Sequence, residues 1–148
     1  MQVLKNIQIN VQIPINKSKR EVWDALLNDI ESWWHKDFYV LAESQIILEP
    51  FAGGRLYEKT IDGSEGLWYT VSSIHKDQTI ELFGHLRPEF GGPATSLLKI
   101  NLSENNGTTV LQIYDSLYGV VDEAKKQSIE SGWKLLFTEG LKKYIEQN

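Results

Sequence analysis

Apolar residues alternate with polar ones along several stretches of the chain, which is the spacing of β-strands with one buried face. In the clearest stretch, at 3–13, the apolar residues from Ile7 to Ile13 recur at every second position. Six further strands are predicted at 46–49, 54–61, 66–75, 79–85, 95–103 and 108–117. Turn sequences such as Asp62-Gly63 connect the strands, so neighbouring strands are expected to be antiparallel.

Helical spacing appears in two parts of the chain. After strand one, Ser18 can cap a helix that reaches Asn28, and Asp29 can cap a shorter one that reaches Trp34. Near the end, 122–147 contains no proline and places its apolar residues on one stripe at i, i+3 and i+4. Together these patterns predict one α+β domain over 1–148. It has two short helices after strand one and a seven-stranded antiparallel sheet around a long C-terminal helix.

Composition and charge narrow the classes of function. Fifteen Lys and Arg against twenty Asp and Glu give a net charge of -5, and without a basic run no nucleic-acid partner is expected. The absence of cysteine excludes disulfides, thiolate metal sites and cysteine nucleophiles. The three histidines form no metal-ligand motif, so no metal and no other cofactor is expected. The first fifteen residues lack a long apolar run, which favours a cytoplasmic protein with no membrane partner.

Several motifs resemble those of the START-like helix-grip superfamily. They are VWDAL at 22–26, WW at 33–34, GGRLYE at 53–58, DGSEG at 62–66, NNGTTVLQI at 105–113 and GW at 132–133. Within the superfamily, the chain is similar to the group named after the activator of the heat-shock-protein ATPase. The resemblance spans almost the whole chain and implies a curved sheet that grips the long helix around a ligand-sized cavity. Related sequences often carry Trp where this chain has Gly84, which implies a larger cavity on that side.

Two carboxylates are expected on the inner face of the sheet. Strand parity places Glu58 on the same face as Leu56, and Asp115 on the same face as Leu117. A buried carboxylate can anchor the polar end of a ligand, or it can act as a general acid or base with a raised pKa. The alternative is structural, with each carboxylate paired to an arginine or a backbone amide, or pointing to solvent. No catalytic residue is assigned.

Aromatic side chains supply most of the remaining cavity candidates. Trp33 and Trp34 are adjacent on a short helix and cannot both face one core, so at least one ring is expected at a rim or pocket wall. His85 can carry a proton at neutral pH or lie on the surface, and simple packing is an alternative for Trp133 and Phe137. The candidate cavity residues are Trp33, Trp34, Phe38, Tyr39, Leu56, Glu58, Trp68, Phe83, His85, Asp115, Leu117, Trp133 and Phe137.

Three functions are compatible with these features. The first is a carrier or sensor that holds a small hydrophobic or amphipathic molecule in the cavity. The second is a cyclase- or hydrolase-like enzyme in which the cavity carboxylates and His85 move protons. The third is a protein-interaction module of the co-chaperone kind, which the resemblance implies, and a homodimer is a possible form of the protein.

Overall fold

The computed structural model describes residues 3–147 and contains the predicted strands and helices. The strands are β1 (Lys5–Ile15), β2 (Gln45–Leu48), β3 (Arg55–Lys59), β4 (Glu65–His75), β5 (Thr79–Leu86), β6 (Ala94–Asn105) and β7 (Thr108–Gly119). The helices are α1 (Lys19–Asn28), α2 (Ile30–Trp33), α3 (Glu123–Leu135) and α4 (Lys143–Glu146). Single 3₁₀ turns occur at Lys36–Phe38 and Pro88–Phe90. Within residues 3–147, no helix is both long enough and apolar enough to cross a membrane.

Within the described residues, the seven strands form one antiparallel sheet in the order β1-β7-β6-β5-β4-β3-β2. The predicted seven-stranded antiparallel sheet is therefore confirmed. Strand β1 runs two residues beyond the predicted end, and Pro14 lies inside it, opposite Val110. Because β1 is an edge strand, the N–H that proline lacks is not needed for a second neighbour.

One face of the sheet carries the hydrophobic core. Along β1, the residues at every second position from Ile7 to Ile15 are buried. Helix α1 begins with a capping box, in which the Ser18 side chain accepts from the Glu21 amide and the Glu21 carboxylate accepts from the Ser18 amide. The predicted cap is thus confirmed, and the helix buries Val22, Trp23 and Leu26.

The long C-terminal helix is continuous but not regular. Between α3 and α4, the segment Leu136–Lys142 is π-helical, which the sequence did not predict. A Cβ added at Gly140 in this segment would clash with the Trp33 carbonyl oxygen. Glycine at position 140 therefore lets the end of α2 approach the helix backbone closely.

Candidate functional site

A β-bulge in β4 turns two consecutive aromatic residues toward the core. Leu56 of β3 pairs with Tyr69, but the next residue, Tyr57, pairs with Leu67, so Trp68 is the extra residue. A bulge breaks the strict alternation of side chains and can re-aim one of them. As a result the Trp68 indole lies 5.4 Å from the buried Trp34 ring, while Tyr69 is only 5% exposed.

Tyr69 is the first member of a buried chain of hydrogen bonds, here called the Asp115 network, which comprises Tyr69, Ser96, Asp115 and Trp133. The Tyr69 hydroxyl lies 2.7 Å from Ser96 Oγ. Ser96 Oγ donates to Asp115 Oδ1 at 2.6 Å, and Trp133 Nε1 donates to Asp115 Oδ2 at 2.9 Å. The network joins β4, β6 and β7 of the sheet to α3 above it.

Asp115 is a buried carboxyl group without a neighbouring cation. Its carboxylate is 1% exposed, and in the described part of the chain none of the ion pairs includes it. Burial raises the pKa of Asp115 above its usual range, although the hydrogen bonds from Ser96 and Trp133 oppose the rise. Because the native state then binds the proton more tightly than the unfolded chain, ionisation of Asp115 weakens folding as the pH rises.

Glu58 is held in a second set of buried contacts, here called the Glu58 clamp. Its carboxylate is fully buried and accepts hydrogen bonds from the backbone amides of Val40, at 3.1 Å to Oε1 and 2.9 Å to Oε2, and of Leu41, at 3.0 Å. Ser44 Oγ donates at 2.6 Å and Trp68 Nε1 at 2.7 Å. Three of the four donors belong to the loop at 39–44 and fix it to strand β3, and the fourth, Trp68, belongs to β4.

These donors decide the ionisation of Glu58. Burial alone would raise the pKa of Glu58, but the hydrogen bonds from Ser44, Val40, Leu41 and Trp68 outweigh it and lower that pKa. Glu58 is thus an anion in β3 that holds the 39–44 loop through the backbone amides of Val40 and Leu41.

A small apolar cavity lies between the C-terminal helix and the inner face of the sheet. Its free volume is about 30 Å³, close to the space of one water molecule. It is lined by Leu26, Leu27, Ile30, Trp33, Trp34, Leu48, Leu56, Tyr69, Ile80, Leu82, Leu98, Ile100, Trp133 and Phe137. An open depression of about 500 Å³ beside the 39–44 loop faces solvent and contains neither Asp115 nor Trp133. The interior cavity is therefore the candidate site.

Both members of the tryptophan pair line this cavity. Helix α2 ends at Trp33, and Trp34 has an extended backbone, with φ -62° and ψ 119°. Because the chain leaves the helix between the two residues, both rings turn inward, and they are 3% and 7% exposed. The assumption that the pair lies on one helical segment was wrong, since the helix is one residue shorter than predicted.

The interior is not enlarged beside Gly84, contrary to the expectation. A Cβ at Gly84 would lie 2.5 Å from the Trp68 carbonyl oxygen and 2.9 Å from Cδ1 of Tyr69. The Tyr69 ring therefore occupies the space that a side chain at position 84 would need. Glycine here makes room for the Asp115 network rather than for a ligand.

Two predicted cavity residues lie on the other face of the sheet. Ile80, Leu82 and Gly84 of β5 are buried, so the residues between them point outward. Phe83 is 41% exposed, and His85 is exposed with its Nδ1 3.4 Å from Thr95 Oγ1. The prediction that Phe83 and His85 line the cavity is wrong because it ignored the parity of β5.

The other predicted residues fall into three groups. Trp33, Trp34, Leu56, Trp133 and Phe137 line the cavity, and ligand contact by these five remains a prediction. Asp115 and Leu117 are buried on β7, where Asp115 contacts the cavity wall through Trp133. Glu58 and Trp68 belong to the Glu58 clamp, beside the partly buried Phe38 and Tyr39.

Sequence reasoning missed two members of the Asp115 network. Ser96 occupies an inward position of β6 among Ala94, Leu98 and Ile100, so a polar residue in an apolar register was a usable signal. Tyr69 gave no such signal, because the bulge that turns it inward is not visible in the alternation pattern.

Comparison with known proteins shows the fold. No protein-family model and no curated protein matches the chain. An uncharacterized protein from Rhizobium leguminosarum has 15% identity and a TM-score of 0.74, with coverage of 100% of this chain and 99% of that one. Ara h 8.0201 has 10% identity and a TM-score of 0.73, with coverage of 97% and 100%. The Aha1 dimer from Colwellia psychrerythraea has 17% identity and a TM-score of 0.68, with coverage of 95% and 96%. The predicted helix-grip fold is confirmed.

The Glu58 clamp predicts a pH-dependent loss of stability. In Glu58→Gln, an amide NH₂ faces the donors of the clamp. We expect this substitution to lower the free energy of unfolding by about 2–3 kcal/mol at pH 7. A carboxyl whose pKa is lowered by folding stabilises the protein above its unfolded pKa, roughly 4.3. The difference between wild type and Glu58→Gln should therefore shrink as the pH falls through the lowered folded pKa.

Urea unfolding between pH 3 and 7 measures this difference. The exposed Glu139→Gln is the matched control and should differ little from wild type at any pH. A Glu58→Gln difference that stays constant down to the acid limit would show that the carboxylate charge does not hold the loop.

The Asp115 network predicts that loss of the Ser96 hydroxyl strongly lowers the free energy of unfolding. Ser96→Ala removes a donor to Asp115 and the acceptor of the Tyr69 hydroxyl, both buried, and should destabilise the fold by about 3 kcal/mol. Ser103→Ala, at an exposed position of the same strand, should change the free energy of unfolding by less than about 0.5 kcal/mol. Equal effects of the two substitutions in urea unfolding would contradict the network.

Proposed function

We propose that the protein binds a small, largely apolar molecule between the C-terminal helix and the sheet, as a carrier or sensor. The observation that carries the proposal is the position of the Asp115 network in the wall of an apolar cavity. Buried carboxylates without a cation are costly, and cores are normally packed without voids. Where a perturbed pKa and a cavity coincide, a functional site is the favoured interpretation.

The size of the cavity implies that binding involves movement of its wall. Sites for drug-sized ligands have volumes of about 300–1,000 Å³, far above the 30 Å³ observed. The Trp33 ring packs against two others, with its centroid 5.9 Å from that of Trp34 and 5.7 Å from that of Phe137. Trp33 ends the four-residue α2 and Trp34 directly follows it. Phe137 lies in the π-helical segment, a type of irregularity often found at functional sites. Displacement of the Phe137 ring, which has no hydrogen bond to break, is the simplest way to admit a ligand.

The enzymatic alternative has less support. It placed His85 beside the cavity carboxylates, but His85 lies on the opposite face of the sheet from Asp115. Both oxygens of Asp115 already accept hydrogen bonds from the protein. The carrier or sensor interpretation needs neither a free proton carrier nor a free carboxylate oxygen.

A pair of substitutions at neighbouring positions tests ligand binding in the cavity. Leu98→Phe adds volume to the cavity wall, whereas Leu97→Phe adds the same volume on the outer face, where Leu97 is 57% exposed. Using N-phenyl-1-naphthylamine as a fluorescent apolar probe, we expect wild type and Leu97→Phe to bind alike. Leu98→Phe should bind at least about tenfold more weakly, since overpacking a filled site costs about 1–3 kcal/mol.

Probe fluorescence and the rise in melting temperature measure binding, and circular dichroism of the unliganded variants checks folding. Equal binding by Leu98→Phe and Leu97→Phe would place the probe elsewhere. A wild-type protein that no apolar probe stabilises would contradict the proposed function. Native mass spectrometry of the protein purified from its own cells is an independent measurement, which identifies a retained ligand.

Protein contact through the outer face of the sheet is a second candidate, which a specific observation favours. Phe83 lies directly opposite Leu97 across β5 and β6, and Tyr118 of β7 is 58% exposed nearby on the same face. Exposed apolar neighbours of this kind mark interaction surfaces, including those of homodimers.

Light scattering at rising protein concentration tests the homodimer. If it forms through this surface, Leu97→Lys should shift the mass toward the monomer, while the exposed Ile61→Lys in a remote turn should not. If the wild type is monomeric at every concentration, the homodimer proposal is wrong.

A further inference from the structure

The hydrogen-bond donors of the cavity wall are all in use. Among the lining residues, only Trp33, Trp34, Tyr69 and Trp133 carry a side-chain N–H or O–H. Trp33 Nε1 donates to the Ala25 carbonyl oxygen at 2.9 Å, and Trp34 Nε1 donates to that of Phe38 at 3.0 Å. Trp133 Nε1 donates to Asp115. Three of the four donors are therefore committed to acceptors outside the cavity.

The fourth donor, the Tyr69 hydroxyl, is committed by the direction of the Asp115 network. Ser96 Oγ donates its single hydroxyl hydrogen to Asp115 Oδ1. Ser96 Oγ then faces the Tyr69 hydroxyl as an acceptor, and Tyr69 must be the donor across their 2.7 Å contact. A ligand in the cavity thus meets no free side-chain donor.

The ionisable group beside the cavity is an acid. No lysine, arginine or histidine lines it, and the ionisable group bound to its wall is Asp115, through Trp133 and Ser96. An anionic ligand group would lose its hydration, find no donor and lie near a buried carboxylate. Desolvating a charge without a partner costs several kcal/mol or more.

We propose that the cavity selects neutral ligands and rejects those that place an anionic group inside it, such as carboxylates of the fatty-acid kind. This inference rests on the ligand-binding function proposed above and narrows its ligand class. Neutral ring systems match the apolar, ring-rich wall, whereas an amphipathic anion does not. The carboxylate Asp115 therefore acts on ligand choice through charge and by occupying the donors, without touching the ligand.

Three probes with one naphthalene ring test this selection: methyl 2-naphthoate, 2-naphthamide and 2-naphthoate. The amide and the carboxylate have nearly the same shape, so the difference between them isolates the charge. At pH 7 we expect the ester to bind best and the amide at least about tenfold more tightly than the carboxylate, measured by calorimetry. Leu98→Phe should weaken binding of the two neutral probes, and Leu67→Phe, at a position that is 63% exposed, should not.

Asp115→Asn supplies a second measurement, because it removes the like charge but leaves the wall apolar. The ratio of amide to carboxylate affinity should fall in this variant without reaching one. In wild type, a carboxylate that binds as tightly as the amide and is sensitive to Leu98→Phe would overturn the selection while leaving ligand binding intact. If neither neutral probe binds the wild type, the ligand-binding function itself fails.

Discussion

Burying a carboxylate in an apolar core requires donors at fixed positions, and this requirement organises the interior of the protein. One bulge in β4 connects to both of the buried acids. Trp68 bonds Glu58 directly, and the next residue, Tyr69, reaches Asp115 through Ser96. A regular strand would have turned one of these adjacent side chains to the outer face. Gly84 leaves room for the Tyr69 ring, the 39–44 loop bonds the same Glu58 as Trp68, and α3 bonds Asp115 through Trp133.

Much of the architecture could be predicted because it follows from local patterns. The alternation in β1, the cap at Ser18 and the apolar stripe of the C-terminal helix each depend on neighbouring residues alone. The burial of Glu58 and Asp115 also followed from parity. Parity would equally have placed Phe83 and His85 outside, had it been applied to β5.

The features that could not be predicted depend on contacts between distant segments. The bulge at Trp68 and the π-helical segment at Leu136–Lys142 insert a residue into a regular pattern, and the sequence does not mark where. The absence of a larger cavity at Gly84, in β5, depends on the Tyr69 ring from the neighbouring strand β4. The role of Glu58 depends on a loop fourteen or more residues away from it, through the amides of Val40 and Leu41 and the hydroxyl of Ser44. None of these is a property of a short window of sequence.

The hydrogen-bonded indoles also give the protein a set of built-in reporters. Four of the five tryptophans donate to four different acceptors: two to backbone carbonyls, one to Glu58 and one to Asp115. In a proton NMR spectrum each indole N–H gives its own resonance, and its position depends on the charge of its acceptor. The Trp68 and Trp133 resonances can therefore follow the titration of the two buried acids separately. The Trp33 and Trp34 resonances, beside the cavity, act as internal references during that titration.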